Sequence, residues 1–151
     1  MHSIHNILQQ LENHIPNLEK TNSRISSSSI GWQIDHCLIV INGVMSQLEV
    51  SNPSEYRPKF NLPKFLVFTT GKIPRGKARA PKIVNPTEIA TISDLNSKIE
   101  QAKVNLLKFE HLPKNAHFKH PFFGHINTFQ TEKFLRIHTY HHLKIIQDIL
   151  K

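Results

Sequence analysis

The chain has 151 residues, a formal net charge of +8, 38% hydrophobic and 20% charged residues. That length suits one domain with a real core, and no apolar run approaches the roughly 18–20 residues of a membrane span, so no membrane partner is expected. The single cysteine, Cys37, excludes an internal disulfide or a multi-cysteine metal site. "MHSIHNILQQLENHI" lacks the basic start and apolar run of a signal peptide, and a cytoplasmic protein is expected.

Five helical segments follow in order. The first, about residues 3–20, repeats Ile4, Ile7, Leu8, Leu11, Ile15 and Leu18 at a period near 3.6. Pro16 predicts a kink or early end. After the polar connector "SRISSSSIG", Ser28 or Ser29 is placed to cap a second helix over about 29–50, "SIGWQIDHCLIVINGVMSQLEV". It is apolar nearly all round, as a helix buried among neighbours is. Its run Ile39-Val40-Ile41 suits a strand, but its length and the lack of turn signals before Asn52-Pro53 favour helix.

A third, shorter helix is expected from about Ser54 to Thr70, interrupted by Pro58 and Pro63. "GKIPRGKARAPKIVNP" then reads as a loop too long for a mere connection in a compact domain. Thr91 or Ser93 caps a fourth helix running to about Leu112, and "PKNAHFKHPFFGHIN" reads as a second loop. The last helix, with Thr128 as N-cap, runs to the end of the sequence. The sum is an all-α bundle of four long helices and a short one in a single domain, residues 1–151.

The positive charge is concentrated. From Arg57 to Lys82 there are eight Lys or Arg and no Asp or Glu. A solvated basic loop and a patch that recruits an anionic ligand both account for this. Nucleic acid ranks last, because stacking needs exposed aromatics among the cations, whereas Phe60, Phe65 and Phe68 are expected on a helix's buried face.

The chemistry-bearing pattern is "FLRIHTYHHLKIIQDIL" at 134–150, with three of the chain's eleven histidines. Leu135, His138, His142, Ile145 and Ile149 fall on one stripe, at spacings of 3, 4, 3 and 4. His138 and His142 therefore replace core residues one turn apart, while His141 shares a neighbouring stripe with Phe134, Ile137 and Lys144. Two unpartnered buried imidazoles cost about 1–3 kcal/mol each. A shared divalent metal would relieve this, since helical i,i+4 histidines aim at one point. Histidines satisfied by core hydrogen bonds fit the same spacing.

His36, midway along the second helix on a face with Trp32, Ile39, Val40 and Gly43, offers a third nitrogen; Gly43 would leave space beside it. Three histidines without a fourth ligand leave a coordination position open, the mark of a catalytic rather than a structural site. Cys37 points about 100° away along the helix, and Asp35 in yet another direction. His117, His120 and His125 sit in the loop before the last helix, where lining the site mouth and serving as polar loop residues are both open to them. Serine, cysteine and paired-carboxylate catalysis have no supporting pattern, and "TGKIPRGK" lacks the spacing of a phosphate loop.

"HPFFGHINTFQTEKFLRIHTYHHLKII" resembles the last loop and helix of the DinB/YfiT-like metalloenzyme superfamily, in which a glycine turn leads into a helix carrying H-x-x-H-H. "SIGWQIDHCLIVING" resembles that superfamily's second helix with its single inward histidine, and "IPRGKARAPK" a loop of one branch whose function is unknown. The resemblance implies a four-helix bundle, a homodimer, and a divalent metal, zinc or nickel, on three histidines, matched here by His36, His138 and His142. It further implies a small-molecule substrate, with a low-molecular-weight thiol activated by the metal in some members. His141, beside the ligands, is the candidate catalytic base or proton carrier. Lys72, Arg75, Lys77 and Arg79 could attract a negatively charged substrate. A non-catalytic, dimerising metal-holding module is the alternative.

Overall fold

The structure, a computed structural model, describes residues 3–76 and 79–151; Lys77 lies outside the described residues. Helices α1 (Ile4–Asn13), α2 (Ile30–Val50), α4 (Ile92–Leu107) and α5 (Thr128–Ile149) pack around one core, with α2 against both α4 and α5 and α1 against the same two. The short α3 (Leu62–Thr70) rests on the outside. No described helix is long and apolar enough to cross a membrane.

Local chemistry sets the boundaries. Helix α1 gives way to a 3₁₀ turn, Ile15–Asn17, because the ring of Pro16 cannot continue the hydrogen-bond ladder. Ser29 caps α2 by accepting from the Trp32 N–H, and the helix is buried on nearly every side. Its close approach to the first segment is made at Gly31, where a Cβ would lie 3.0 Å from the Leu18 carbonyl oxygen. Gly43 has no such role: it faces open space and leaves no slot beside His36. Thr91 and Asp94 form a reciprocal capping box on α4. On α5 the cap is Asn127, paired with Gln130, and not Thr128, whose hydroxyl instead donates to the Pro113 carbonyl at 2.7 Å.

The expected second loop contains a two-stranded antiparallel hairpin, β1 (His117–His120) and β2 (Gly124–Asn127), so the fold is mostly helical with a small sheet. Gly124, at φ 68°, supplies the left-handed position that the tight connection needs. Phe118 and Ile126 turn inward from the two strands.

The third helix is the main departure. Ser54–Thr70 is not one helix: a 3₁₀ turn at Pro53–Glu55 is followed by extended chain, and α3 starts only at Leu62, with Asn61 as cap and Pro63 in the tolerated first turn. Lys64, Val67 and Phe68 face the body of the protein. Phe60 and Phe65, expected inside, are exposed. The reason is rotational: with Val67 inward, Phe65 falls on the opposite side of a 3.6-residue helix.

Candidate metal centre

Helices α2 and α5 meet where His36 faces His138 and His142. Their ring centroids lie 4.7 to 5.0 Å apart, and one nitrogen from each ring can be chosen so that all three lie within 4.8 Å of one another. His36 and His142 are buried and His138 is half-buried. Among the described residues no fourth histidine, cysteine or carboxylate joins the group.

What separates this cluster from crowded imidazoles is the use of the far nitrogens. His36 Nδ1–H donates to the Val84 carbonyl at 2.7 Å, and His142 Nδ1–H donates to Gln33 Oε1 at 2.6 Å. Gln33 is itself oriented by its Nε2 donating to Ser26 Oγ. Carbonyl partners of this kind fix the tautomer of a metal-bound histidine and leave the Nε2 lone pair free. The lone pair of His36 Nε2 points at His138 Nε2, 3.1 Å away. A tetrahedral metal with nitrogen bonds of about 2.0–2.1 Å would separate two such atoms by about 3.3 Å. His138 is the incomplete position: its Nδ1 is buried without a hydrogen-bond partner. The donor set therefore fits a divalent ion of the borderline class, and the three imidazoles can hold one.

Electrostatics act the same way. Burial lowers the pKa of His36, opposed by the Val84 bond and the carboxylate of Asp35. Burial holds His138 and His142 well below the ordinary range, reinforced by the neighbouring imidazoles. All three are neutral at neutral pH, so a metal would not compete with protons there. Trp32 stacks on His36 with centroids 5.1 Å apart and closes one side.

The long basic loop proves to be part of the site. It passes over α5, where Arg75 pairs with Asp148 at 2.8 Å and the Ile73 carbonyl accepts from His141. It then returns to α2 to offer Val84. Sequence reasoning missed both Gln33 and Val84. A buried glutamine one turn before His36 was a readable signal; a backbone carbonyl on a distant loop was not.

His141 lies beside the triad, not in it: its ring stands edge-on to His142 at 5.1 Å, and burial with the nearby Arg75 holds its pKa at about 4. Cys37 is fully buried, which raises its thiol pKa, and it does not join the cluster. Asp35 is engaged by Lys98 at 2.5 Å. The hairpin histidines do not join the group. His120 is a corner: its Nδ1 accepts from the N–H groups of Phe122 and Phe123, and its ring stacks on Phe123 at 4.3 Å. His117 and His125 stack on each other.

The chain matches no family model, no curated protein and no solved structure.

Proposed function

We propose that the chain is a metal-dependent enzyme of the DinB/YfiT-like class, with a divalent ion on His36, His138 and His142. The observation that carries this reading is the pinning of two distal nitrogens by Val84 and Gln33, which frees their partners to converge. Three protein ligands leave a further coordination position. The metal, when bound, would supply Lewis acidity and lower the pKa of water or a thiol at that position. The protein's own share is to hold the ligands neutral and preoriented. Trp32 walls the site, and Lys72 and Arg79 give the covering loop a positive field for an anionic small molecule such as a thiol. His141, neutral at pH 7 and bonded to Ile73 by one nitrogen, keeps the other ring nitrogen to take or relay a proton. The homodimer implied by the resemblance belongs to this proposal.

The test is metal content of tag-free protein by mass spectrometry, wild type beside His138→Ala. About one equivalent of zinc or nickel per chain in wild type and none in the variant is expected for a three-histidine site. No metal in wild type after reconstitution with zinc, nickel and manganese would end this reading.

A second reading, a metal that only staples the bundle, is favoured by one observation: His36 and His142 are 4% and 9% exposed, and neither of two surface grooves is lined by the triad. Cobalt-substituted protein separates the two. A visible spectrum that shifts when a small thiol is added marks an open position; an unresponsive spectrum marks a closed shell.

A further inference from the structure

Helix α3 packs Val67 and Phe68 inward yet leaves most of its large apolar groups outside. Its only lysine, Lys64, faces inward at 9% exposure, with Nζ donating to the His125 carbonyl at 3.3 Å. Leu62, Phe65 and Leu66 face out at 54%, 54% and 51%. Phe60, just before the helix, is 82% exposed, and Phe122 joins the patch across the hairpin turn, where its carbonyl accepts from Asn61 Nδ2 at 2.9 Å. Lysine is seldom buried and large apolar groups are seldom clustered outside, so this arrangement needs an occupant.

The surrounding charge says what kind. Lys59, Lys64 and Lys133 line a groove of about 460 Å³ that also takes in Phe60 and Phe65, no carboxylate lines it, and Arg57 and Lys119 add positive charge near His125 beside it. The local positive field is felt by His125, whose pKa is lowered first by desolvation and then by His117, Lys119, Arg57 and Lys59. A second copy of this chain would set these cations against one another.

We propose that α3 and its flanks dock on the surface of an anionic lipid bilayer. Phe60, Leu62, Phe65 and Leu66 enter the boundary between headgroups and acyl chains, and the surrounding lysines and Arg57 meet the headgroup charges. An outward apolar helix face in a basic field is the signature of an in-plane interfacial helix. The expectation of no membrane partner rests on the missing spans, and a helix lying in the interface needs none. Single-stranded nucleic acid also pairs aromatics with cations, but Leu62 and Leu66 offer bases no ring to stack on. The inference is independent of the metal reading.

Vesicle sedimentation tests it, using phosphatidylcholine alone and phosphatidylcholine with phosphatidylglycerol at roughly 2:1. Wild type is expected to pellet with the anionic vesicles, to stay in solution with the neutral ones, and to be released as salt is raised. Phe65→Ser/Leu66→Ser, outward-facing and checked for an unchanged melt, is expected to lose binding; Lys59→Glu is expected to weaken it several-fold. The proposal is overturned by wild type remaining in solution with both vesicles, by equal binding to neutral vesicles, or by undiminished binding of the double variant. Capture of a labelled oligothymidylate with vesicles ignored would assign the face to nucleic acid and also overturn it.

Discussion

Two groups of histidines in this molecule have nearly the same spacing and different chemistry. His138 and His142 have ring centroids 4.7 Å apart, and so do His117 and His125 on the hairpin. On the hairpin the rings lie nearly parallel, at 26°, and His125 Nδ1 accepts from the Arg57 N–H while His117 Nδ1 meets the Asn115 carbonyl. Parallel rings whose nitrogens serve the local backbone do not converge. In the bundle the rings are inclined at 58°, and oxygen partners on Val84 and Gln33 hold the far nitrogens of His36 and His142 so that their near ones face inward. Proximity of imidazoles does not make a site; orientation by outer partners and exclusion of water do.

The largest contrast should come from the ligands themselves. His36→Ala, His138→Ala and His142→Ala should each abolish stoichiometric zinc or nickel, while His117→Ala and His125→Ala retain it. Because an ion bound only to the fold stabilises by mass action, about 4 kcal/mol should accrue at a thousandfold excess over the dissociation constant. Thermal melts with and without metal measure this: a rise in wild type and none in His138→Ala. An equal rise in both would place the ion elsewhere.

Acid sharpens the comparison at a third histidine. His120 is held at about 4 by burial, against about 6.5 in an unfolded chain. Between those values the unfolded state binds a proton that the fold refuses. Stability from His120 is therefore complete above about pH 6.5, falls as the pH drops, and is gone near pH 4, with an upper bound of about 3 kcal/mol. Denaturant titrations from pH 7 to 4 should show part of the acid slope vanish in His120→Asn, which keeps an acceptor for the two backbone N–H groups. An unchanged slope would mean His120 does not resist protonation.

Next in size is the outer partner. Gln33→Leu removes the acceptor that holds His142 and should weaken metal binding 10- to 100-fold without abolishing it, as competition with a chromogenic chelator would report. Unchanged affinity would show that packing alone orients His142, and the contrast drawn above would lose its cause.

Legibility in the sequence followed the same division. The triad was readable because helical periodicity places His138 and His142 on the stripe with Leu135 and Ile145, and because His36 sits in a helix with almost no polar face. The bundle was readable from the same periodicity, and the cap of α4 only as a choice between Thr91 and Ser93, which the reciprocal bond with Asp94 resolves to Thr91. The hairpin was not: "HFKH" and "GHIN" are too short to display alternation. Nor was the orientation of α3, because a nine-residue helix with apolar groups on several sides has no unambiguous inner face. Val84 was out of reach, since its contribution to His36 is a carbonyl that every residue has.

The smallest effect concerns the hairpin pair and would test the contrast from its weak side. His125→Ala removes a ring stack with His117 and leaves the Arg57 N–H to water at the surface. A lost exposed hydrogen bond costs about 1 kcal/mol or less, because water replaces it. The expected outcome is therefore a melt lowered by a few degrees at most and an unchanged metal content. A far larger loss of stability would mean that the stack is a structural brace. Loss of the metal would be more consequential. Lys64 reaches the His125 carbonyl and Phe68 packs on Phe123, so a hairpin displaced by the substitution could carry His120 and Phe134 with it and disturb His138. The two histidine groups would then be mechanically coupled, and the metal centre would extend to the surface of the hairpin.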